Sequence, residues 1–212
     1  MLRNFWYLFS RDALKCMVYA GFRVKFNGRK NVPEPPFIVA SNHASNLDPV
    51  LVGAVTPLPL DFMAKKELFD PPVIGTWSRA VGCIEVKRGA NAVGSLKEAL
   101  HRLKNGRNVA IFPEGTRSDD GEINEAKRGI GFLISKAKVP VVPVFIAGTY
   151  DAMPKGKKVK FGSRISVNIG KPVMPNEIFS TAKNEKDYDA VVQNVMQRIN
   201  NIKIEIEKTS RS

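Results

Sequence analysis

Three short apolar runs constrain the fold of this 212-residue chain more strongly than any other feature of its sequence. Each run is rich in β-branched side chains, which predicts a strand that is buried on both faces. The runs are residues 37–40, 109–112 and 141–147. Helical patterns lie between and after them, at 90–103, 129–137 and 188–207. Strands and helices that alternate in this way predict an α/β domain, a single layered unit with a mostly parallel or mixed sheet flanked by helices.

The length of the chain fits one domain with a sizeable core. We assign residues 22–207 to this domain, residues 1–21 to an amphipathic, membrane-associating helix before it, and residues 208–212 to a frayed tail. No apolar run approaches the roughly 20 residues that a transmembrane helix needs. We also identify no signal peptide with a small-residue cleavage site. The sequence therefore predicts a protein that is soluble or bound to one membrane face.

Residues 1–20 form a helical pattern with one strongly apolar face. That face consists of Leu2, Phe5, Trp6, Phe9, Ala13, Cys16, Met17 and Ala20. The opposite side is mostly polar, but Tyr7 and Val18 interrupt it. Aromatic residues on one face and basic residues on the other are typical of a helix that lies in a lipid headgroup layer. The alternative is a helix that packs on the core of its own domain.

The chain carries 33 Lys and Arg against 20 Asp and Glu, a net charge of +13. Such a charge favours an anionic partner: nucleic acid, an acidic carrier protein or a phospholipid surface. A basic nucleic-acid-binding protein is therefore the alternative function of another class. The aromatic residues do not interleave with Lys and Arg as in a nucleic-acid recognition module, so we expect no nucleic-acid partner. Residues 155–171 are rich in Lys and Arg and contain no acidic residue. This stretch is predicted to contain a hairpin of strands 159–161 and 164–169, which faces a membrane, an acidic carrier or only solvent.

Several standard catalytic and cofactor sites are missing from the sequence. There is no G-x-S-x-G nucleophile motif, no G-x-x-x-x-G-K-[ST] phosphate loop and no complete G-x-G-x-x-G. Cys16 and Cys83 match no metal-ligand spacing and no disulfide framework, as expected of thiols in a reducing cytosol. We therefore expect neither a covalent nucleophile nor a bound metal or cofactor.

A histidine and an aspartate follow the first buried run. The loop after residues 37–40 has the sequence NHASNLD, residues 42–48. His43 and Asp48 are close enough in sequence to meet across one turn, so the carboxylate can hold one ring nitrogen and leave the other free to take a proton. The other histidine, His101, lies on the outer side of the 90–103 helix. His43 is therefore the candidate general base, and the hydroxyl that it would activate could come from the substrate. The alternative is a histidine with a structural role only.

A second group of polar residues follows the run at 109–112. Residues 112–118 have the sequence FPEGTRS, in which Gly115 permits a close backbone approach and Arg117 is suited to grip a phosphate or carboxylate. Lys65 and Arg88 also follow predicted strands and could converge on the same anion. The alternative for each of these residues is an ordinary loop or a solvated basic edge.

Taken together, these motifs resemble those of the glycerophosphate acyltransferase superfamily, and within it the bacterial 1-acyl-sn-glycerol-3-phosphate acyltransferases. Residues 42–48 match the N-H-x-S-x-x-D block, and residues 112–118 match F-P-E-G-T-R-S in full. Residues 82–88 match G-x-I-x-V-x-R, and residues 142–144 match V-P-V. The resemblance covers about residues 22–150. The first two blocks carry most of its specificity.

The resemblance implies a chemistry in which no acyl-enzyme forms. His43, oriented by Asp48, would deprotonate the sn-2 hydroxyl of lysophosphatidic acid, and the oxygen would attack the thioester of acyl-CoA or acyl-carrier protein. The product would be phosphatidic acid. The acyl thioester is a co-substrate, and no other cofactor is implied. The alternative acceptors are glycerol 3-phosphate and other lysolipids.

The resemblance also implies where the substrates bind. The acceptor phosphate would lie on Arg117, with Lys65 and Arg88 as helpers. Glu114 and Gly115 would shape the acceptor pocket, and Pro143 would line the region near the acyl donor. The implied location is the cytoplasmic face of the cell membrane, with residues 1–20 and the basic patches against an anionic lipid surface.

Overall fold

The structure, a computed structural model, describes residues 2–86 and 92–211. Within these residues, seven strands form one sheet. They are β1 (Arg23–Asn27), β2 (Ile38–Ser41), β3 (Leu60–Lys65), β4 (Ile84–Val86), β5 (Asn108–Ile111), β6 (Val141–Ala147) and β7 (Arg164–Ile169). Their order is β1-β7-β6-β2-β5-β3-β4, and every neighbouring pair is parallel except β6 and β7. This arrangement confirms the predicted α/β fold with a mixed sheet.

The described helices connect the strands and cover the sheet. They are α1 (Leu2–Gly21), α2 (Asp48–Gly53), α3 (Pro72–Ala80), α4 (Ala92–Lys104), α5 (Arg128–Ala137), α6 (Thr149–Ala152), α7 (Pro175–Ile178) and α8 (Tyr188–Arg211). Short 3-10 turns occur at Arg29–Asn31 and Lys66–Leu68. Helix α8 runs beyond residue 207, through most of the segment predicted as a frayed tail.

Two apolar layers lie on opposite faces of the sheet, because successive side chains of a strand point to opposite sides. In β2, Ile38 and Ala40 join one layer with α4, α5 and α8, whereas Val39 joins the other with α1 and α2. In β5, Val109 joins the layer that contains α4, α5 and α8, and Ala110 joins the layer that contains α1 and α2. Burial on both faces explains why these strands are continuous apolar runs in the sequence.

The hairpin predicted at 159–161 and 164–169 is wrong. Strand β7 pairs in parallel with β1, where Arg23 lies opposite Arg164, and antiparallel with β6, where Ala147 lies opposite Ser166. Both edges of β7 are therefore occupied, and no edge is left for residues 159–161. These residues belong to the connection between α6 and β7 and form no strand.

Helix α1 turns its apolar face away from the domain. Phe5, Phe9 and Met17 are 61, 60 and 69% exposed. By contrast, Tyr7 and Val18, the two residues that interrupt the polar side, are 6 and 5% exposed and belong to the core. The helix therefore packs on the core of its own domain, as the alternative interpretation predicts, but it does so through the side that carries Tyr7 and Val18 and not through its predicted apolar face. Among the described residues, no helix combines the length and the apolar character required to cross a bilayer.

Candidate active site

Parallel strands bring the two polar loops to one edge of the sheet. Strands β2 and β5 are parallel neighbours, with Ala40 opposite Ile111. The loops that follow them, residues 42–47 and 112–118, therefore begin side by side. Strand β3, which pairs in parallel with β5, ends at Lys65 on the same edge. Ligand sites in α/β sheets commonly occupy the carboxyl ends of the strands.

His43 and Asp48 form a hydrogen-bonded pair. The distance between His43 Nδ1 and Asp48 Oδ2 is 3.0 Å. The imidazole stacks on the Phe112 ring, with 4.0 Å between centroids and 19° between planes. The carboxylate is fully buried, whereas the imidazole is 17% exposed. An Nδ1–H that donates to the carboxylate leaves Nε2 with its lone pair, which is the tautomer that a general base requires.

The backbone holds the Asp48 carboxylate in place. Its Oδ2 atom also accepts hydrogen bonds from the amides of Ala44 and Ser45, each at 2.7 Å. The Asp-Pro pair at 48–49 is typical of an N-cap followed by proline at the first helical position, so the sequence predicts Asp48 as the N-cap of its helix. In the structure the N-cap is Leu47, and α2 begins at Asp48. The side chain turns back to the preceding loop because three donors converge on it there. The backbone amides therefore fix the position of the carboxylate, and the carboxylate in turn orients the imidazole.

Glu114 joins the two loops beneath His43. Its Oε1 accepts from the His43 amide at 2.8 Å, and its Oε2 accepts from the Asn124 amide at 3.0 Å. The side chain is 1% exposed, and burial raises the pKa of its carboxyl, while the two amide hydrogen bonds act in the opposite direction. The Ser118 amide donates to the His43 carbonyl at 2.7 Å and adds a second connection. Through these contacts, Glu114 holds the loop that carries His43 against the loop that follows β5.

Two residues missed by sequence reasoning position the same loop. Asn42 is paired with Ile146 of β6: its Nδ2 donates to the Ile146 carbonyl at 3.0 Å, and its Oδ1 accepts from the Ile146 amide at 2.8 Å. The Ser45 hydroxyl donates to the Met153 carbonyl at 2.9 Å. Both residues lie inside the block that contains His43, but their partners are more than 100 positions away in sequence.

The predicted cationic residues that the structure describes lie at the same edge of the sheet as His43. Arg117 is half-buried and Lys65 is exposed, and neither has an ion-pair partner within residues 2–86 and 92–211. Gly115 has a φ of +70°, and a Cβ atom there would lie 3.2 Å from Cγ of Lys127. This position therefore favours glycine, and it brings a further lysine, Lys127, beside the loop. Arg88 lies outside the described residues.

Pro143 stands apart from these loops. It is buried within β6, opposite Ala40, and its carbonyl accepts a hydrogen bond from Gly170 at 2.9 Å. It is a residue of the sheet and does not belong to the two loops that carry His43 and Arg117. In the described part of the chain, no group of three or more His, Cys, Asp and Glu side chains is placed to hold a metal ion.

Comparison with known proteins gives one consistent result. Residues 23–147 match the model of the Acyltransferase family. The chain is 28% identical over 204 residues to the 1-acyl-sn-glycerol-3-phosphate acyltransferase of Bacillus subtilis, covering 95% of this chain and 99% of that protein. It is 31% identical over 176 residues to a chloroplastic 1-acyl-sn-glycerol-3-phosphate acyltransferase of Arabidopsis thaliana, covering 81% of this chain.

The chain spans about half the length of the chloroplastic relatives, 49% of the Arabidopsis protein and 51% of the Brassica napus protein. A solved structure, the 1-acyl-sn-glycerophosphate acyltransferase of Thermotoga maritima, superposes with a TM-score of 0.74 at 30% identity. It covers 92% of this chain and 79% of the other. The matched family segment contains both loops of the site and all of the sheet except β7. The chain therefore belongs to the Acyltransferase family.

Proposed function

We propose that this protein transfers a fatty acyl group from a thioester, acyl-CoA or acyl-carrier protein, to the sn-2 hydroxyl of lysophosphatidic acid and so forms phosphatidic acid. The single observation that carries the proposal is the His43–Asp48 pair at 3.0 Å, in a loop joined to the one that bears Arg117. The names of the bacterial and plant relatives support the same acceptor.

The proposed reaction needs no nucleophile from the protein. His43 Nε2 takes the proton of the sn-2 hydroxyl while that oxygen bonds to the thioester carbonyl carbon. The carbon–sulfur bond then breaks, and the imidazolium returns the proton to the leaving thiolate. Asp48 keeps the imidazole in the required tautomer and stabilises the imidazolium between the two steps.

The positive charge beside this base selects a phosphorylated acceptor. Arg117 lies one residue before Ser118, whose amide binds the His43 carbonyl at 2.7 Å. A guanidinium offers two parallel hydrogen bonds to a phosphate, and Lys65 and Lys127 add charge at the same edge. Arg88 is proposed as a further phosphate ligand from the family motif, and Gly115 as the close-approach position of the acceptor pocket. Pro143 is proposed only as a wall near the donor.

Arg117→Ala is expected to raise KM for lysophosphatidic acid by about 10–100-fold, because a charge-assisted hydrogen bond to the phosphate is lost from the ground state and the transition state alike. The measurement is steady-state kinetics with the acceptor varied. Arg198→Ala is the matched control, since Arg198 lies on α8 and pairs with Glu177. An unchanged KM in Arg117→Ala would contradict the assigned role.

The acceptor and donor are tested by one crossed assay. Lysophosphatidic acid, glycerol 3-phosphate and a lysophospholipid without a free phosphate are each combined with acyl-CoA and with acyl-carrier protein. The proposal predicts phosphatidic acid as the dominant product with lysophosphatidic acid. Preferential acylation of either other acceptor would change the assigned substrate but leave the proposed acyl-transfer reaction in place. No acyl transfer in any combination would refute the proposed activity.

The protein is proposed to act at the cytoplasmic face of the cell membrane as a peripheral protein held by α1. The exposed aromatic cluster of this helix supports this location: the rings of Phe5, Trp6 and Phe9 lie 5.8–6.3 Å apart and are 61, 46 and 60% exposed. Such a surface, beside a net charge of +13, suits an anionic lipid layer.

Replacing Phe5, Trp6 and Phe9 together with Ser is expected to weaken vesicle binding by at least about 100-fold, because three aromatic side chains no longer leave water. Co-sedimentation with phosphatidylglycerol-containing vesicles measures the effect. This variant is preferable to deletion of α1, which would also remove Tyr7 and Val18 from the core. The matched control replaces three exposed apolar residues elsewhere, Val93, Met174 and Ile204, with Ser. Equal binding by both variants would show that α1 is not the attachment.

A further inference from the structure

The connection between α6 and β7 presents a basic and aromatic surface that the proposed chemistry does not use. Every residue from 155 to 162 is exposed, and we call this segment the 155–162 loop. It contains four lysines, Lys155, Lys157, Lys158 and Lys160. Between and beside them, Val159 is 38% exposed and Phe161 is 77% exposed. The loop therefore exposes an aromatic ring and a second apolar side chain among its cations.

The 155–162 loop is attached to the end of α1 and is not a free coil. The Gly162 amide donates to the Gly21 carbonyl at 2.7 Å, and the Arg23 amide donates to the Ser163 carbonyl at 3.0 Å. The Lys160 amide donates to the Ala152 carbonyl at 2.8 Å. The Phe161 ring stacks on Phe22 with 5.8 Å between centroids. The fold thus holds the ring in place while it leaves most of its surface open.

The charges of the loop are largely unneutralised. Lys155 pairs with Asp119 at 2.8 Å. Lys157, Lys158 and Lys160 have no ion-pair partner in the part of the chain that the structure describes. Strand β1 adds Arg23, which is exposed and opposite Arg164 of β7. The cations therefore remain available to an anionic partner, and they attract one over about 10 Å at ordinary ionic strength.

An open apolar groove lies between the loop and α1. Its volume is about 500 Å³, and its walls include Met17, Tyr19, Phe22 and Phe161, with Arg23 at its border. Met17 is 69% exposed and Tyr19 is 42% exposed. A cation beside a channel of this kind matches a molecule with a negatively charged head and an apolar chain.

We propose that the 155–162 loop and the end of α1 form a second membrane-docking site, which binds anionic phospholipid. This inference rests on the proposed membrane association through α1. The lysines bind headgroup phosphates, and Phe161 enters the layer beneath them beside a lipid chain in the groove. An acidic carrier protein would account for the lysines, but it would give no reason for an exposed ring and an apolar groove continuous with α1.

The position of this surface allows it to orient the domain relative to the membrane. Phe9 and Gly21 are separated by about 18 Å along α1, at 1.5 Å per residue. Two attachments that far apart prevent the domain from rotating about a single anchor, and the second makes binding tighter through a local effective concentration. The loop follows Met153, whose carbonyl accepts from Ser45 in the catalytic loop at 2.9 Å. Docking there therefore positions the His43 loop relative to the bilayer.

The charge of the loop is tested with Lys157→Gln combined with Lys158→Gln. Both side chains are exposed, so the fold is retained. The affinity for vesicles of phosphatidylcholine and phosphatidylglycerol is expected to fall roughly 30-fold, about fivefold for each cation, with no change on phosphatidylcholine alone. The matched control is Lys97→Gln with Lys104→Gln on α4, which covers the opposite face of the sheet. Equal losses in the two variants, or no loss in the first, would overturn the proposal.

The apolar component is tested with Phe161→Ser, which is expected to weaken binding to both kinds of vesicle about 10-fold. Val93→Ser on α4 is the control. Because Phe161 also stacks on Phe22, thermal unfolding is measured for the variant, and Val159→Ser provides a second test without that contact. Full vesicle binding by both loop variants would contradict insertion.

Failure of this inference is distinguishable from failure of the proposed function. Acyl transfer is assayed in parallel with lysophosphatidic acid in detergent micelles, where the loop variants are expected to keep wild-type kcat. If the wild-type protein shows no transferase activity, the proposed function is refuted. The vesicle-binding measurements still test the docking site in that case. A lysine variant that loses binding to acyl-carrier protein but keeps binding to vesicles would assign the loop to the carrier and overturn the lipid proposal.

Discussion

Replacing His43 with Ala is expected to lower kcat by about 10²–10⁴-fold, the contribution typical of a positioned general base. Among the described residues of the proposed site, neither carboxylate can replace it as the proton acceptor. Asp48 is buried and its Oδ2 is engaged by three donors, and Glu114 is buried with each of its oxygens accepting from a backbone amide. The backbone amide and carbonyl of His43, which bind Glu114 and Ser118, remain in the variant. Folding is therefore expected to survive the substitution.

The measurement for His43→Ala is kcat under saturating acceptor and donor, together with the thermal unfolding curve. His101→Ala is the matched control: it removes the other histidine of the chain, which is exposed on α4 and contacts Asn105. Wild-type turnover in a folded His43→Ala protein would end the proposed mechanism. A loss that accompanies unfolding would require the smaller change His43→Gln, which keeps a polar side chain at the position.

Asp48→Asn is expected to produce the second largest loss, in the same range of about 10²–10⁴-fold in kcat, because the imidazole loses the charge that orients it and stabilises its protonated form. An amide oxygen can still occupy the place of Oδ2 and accept from Ala44 and Ser45. The amide nitrogen then takes the place of Oδ1, which has no hydrogen-bond partner among the described residues. Asparagine therefore tests the charge with little change in shape.

Asp48→Ala is expected to be less stable than Asp48→Asn, since it leaves two buried amides without an acceptor at about 1–3 kcal/mol each. Chemical denaturation separates this effect from the loss of kcat. The double variant His43→Ala with Asp48→Asn is expected to be no slower than His43→Ala alone, because Asp48 acts through the histidine. Multiplication of the two losses would show that Asp48 acts on the substrate by another route.

Local features of the site were predictable because they depend on neighbours in sequence. His43 and Asp48 are five residues apart and follow a buried strand, so one turn brings them together whatever the rest of the fold does. The cap assignment of Asp48 was wrong for a related reason. The N-cap rule considers only hydrogen bonds from the first turn of the helix to the carboxylate. In the structure the Ala44 and Ser45 amides and the imidazole donate to the carboxylate instead.

The role of Glu114 was not predictable in detail. Its partners, the amides of His43 and Asn124, come from two different loops, and the first is 71 positions away in sequence. The family motif identified it as an acceptor-pocket residue, and its burial beneath His43 follows only from the packing of β2 beside β5. The same limit applies to β7. Residues 164–169 were correctly predicted as a strand, but the hairpin partner assigned to them, residues 159–161, was wrong, because the order of residues carries no information about which strands occupy the two edges.

The sequence by itself determined the α/β class, the positions of the buried strands and the two loops that carry the chemistry, because burial on both faces and residue spacing leave direct traces in the order of side chains. The tertiary structure alone decided that β7 lies between β1 and β6, that Glu114 supports His43, and that α1 buries Tyr7 and Val18 while its aromatic face stays open. The physical reason is that periodicity reveals that a helix has an apolar face but does not specify what covers it, and contacts between distant loops exist only after the sheet has assembled.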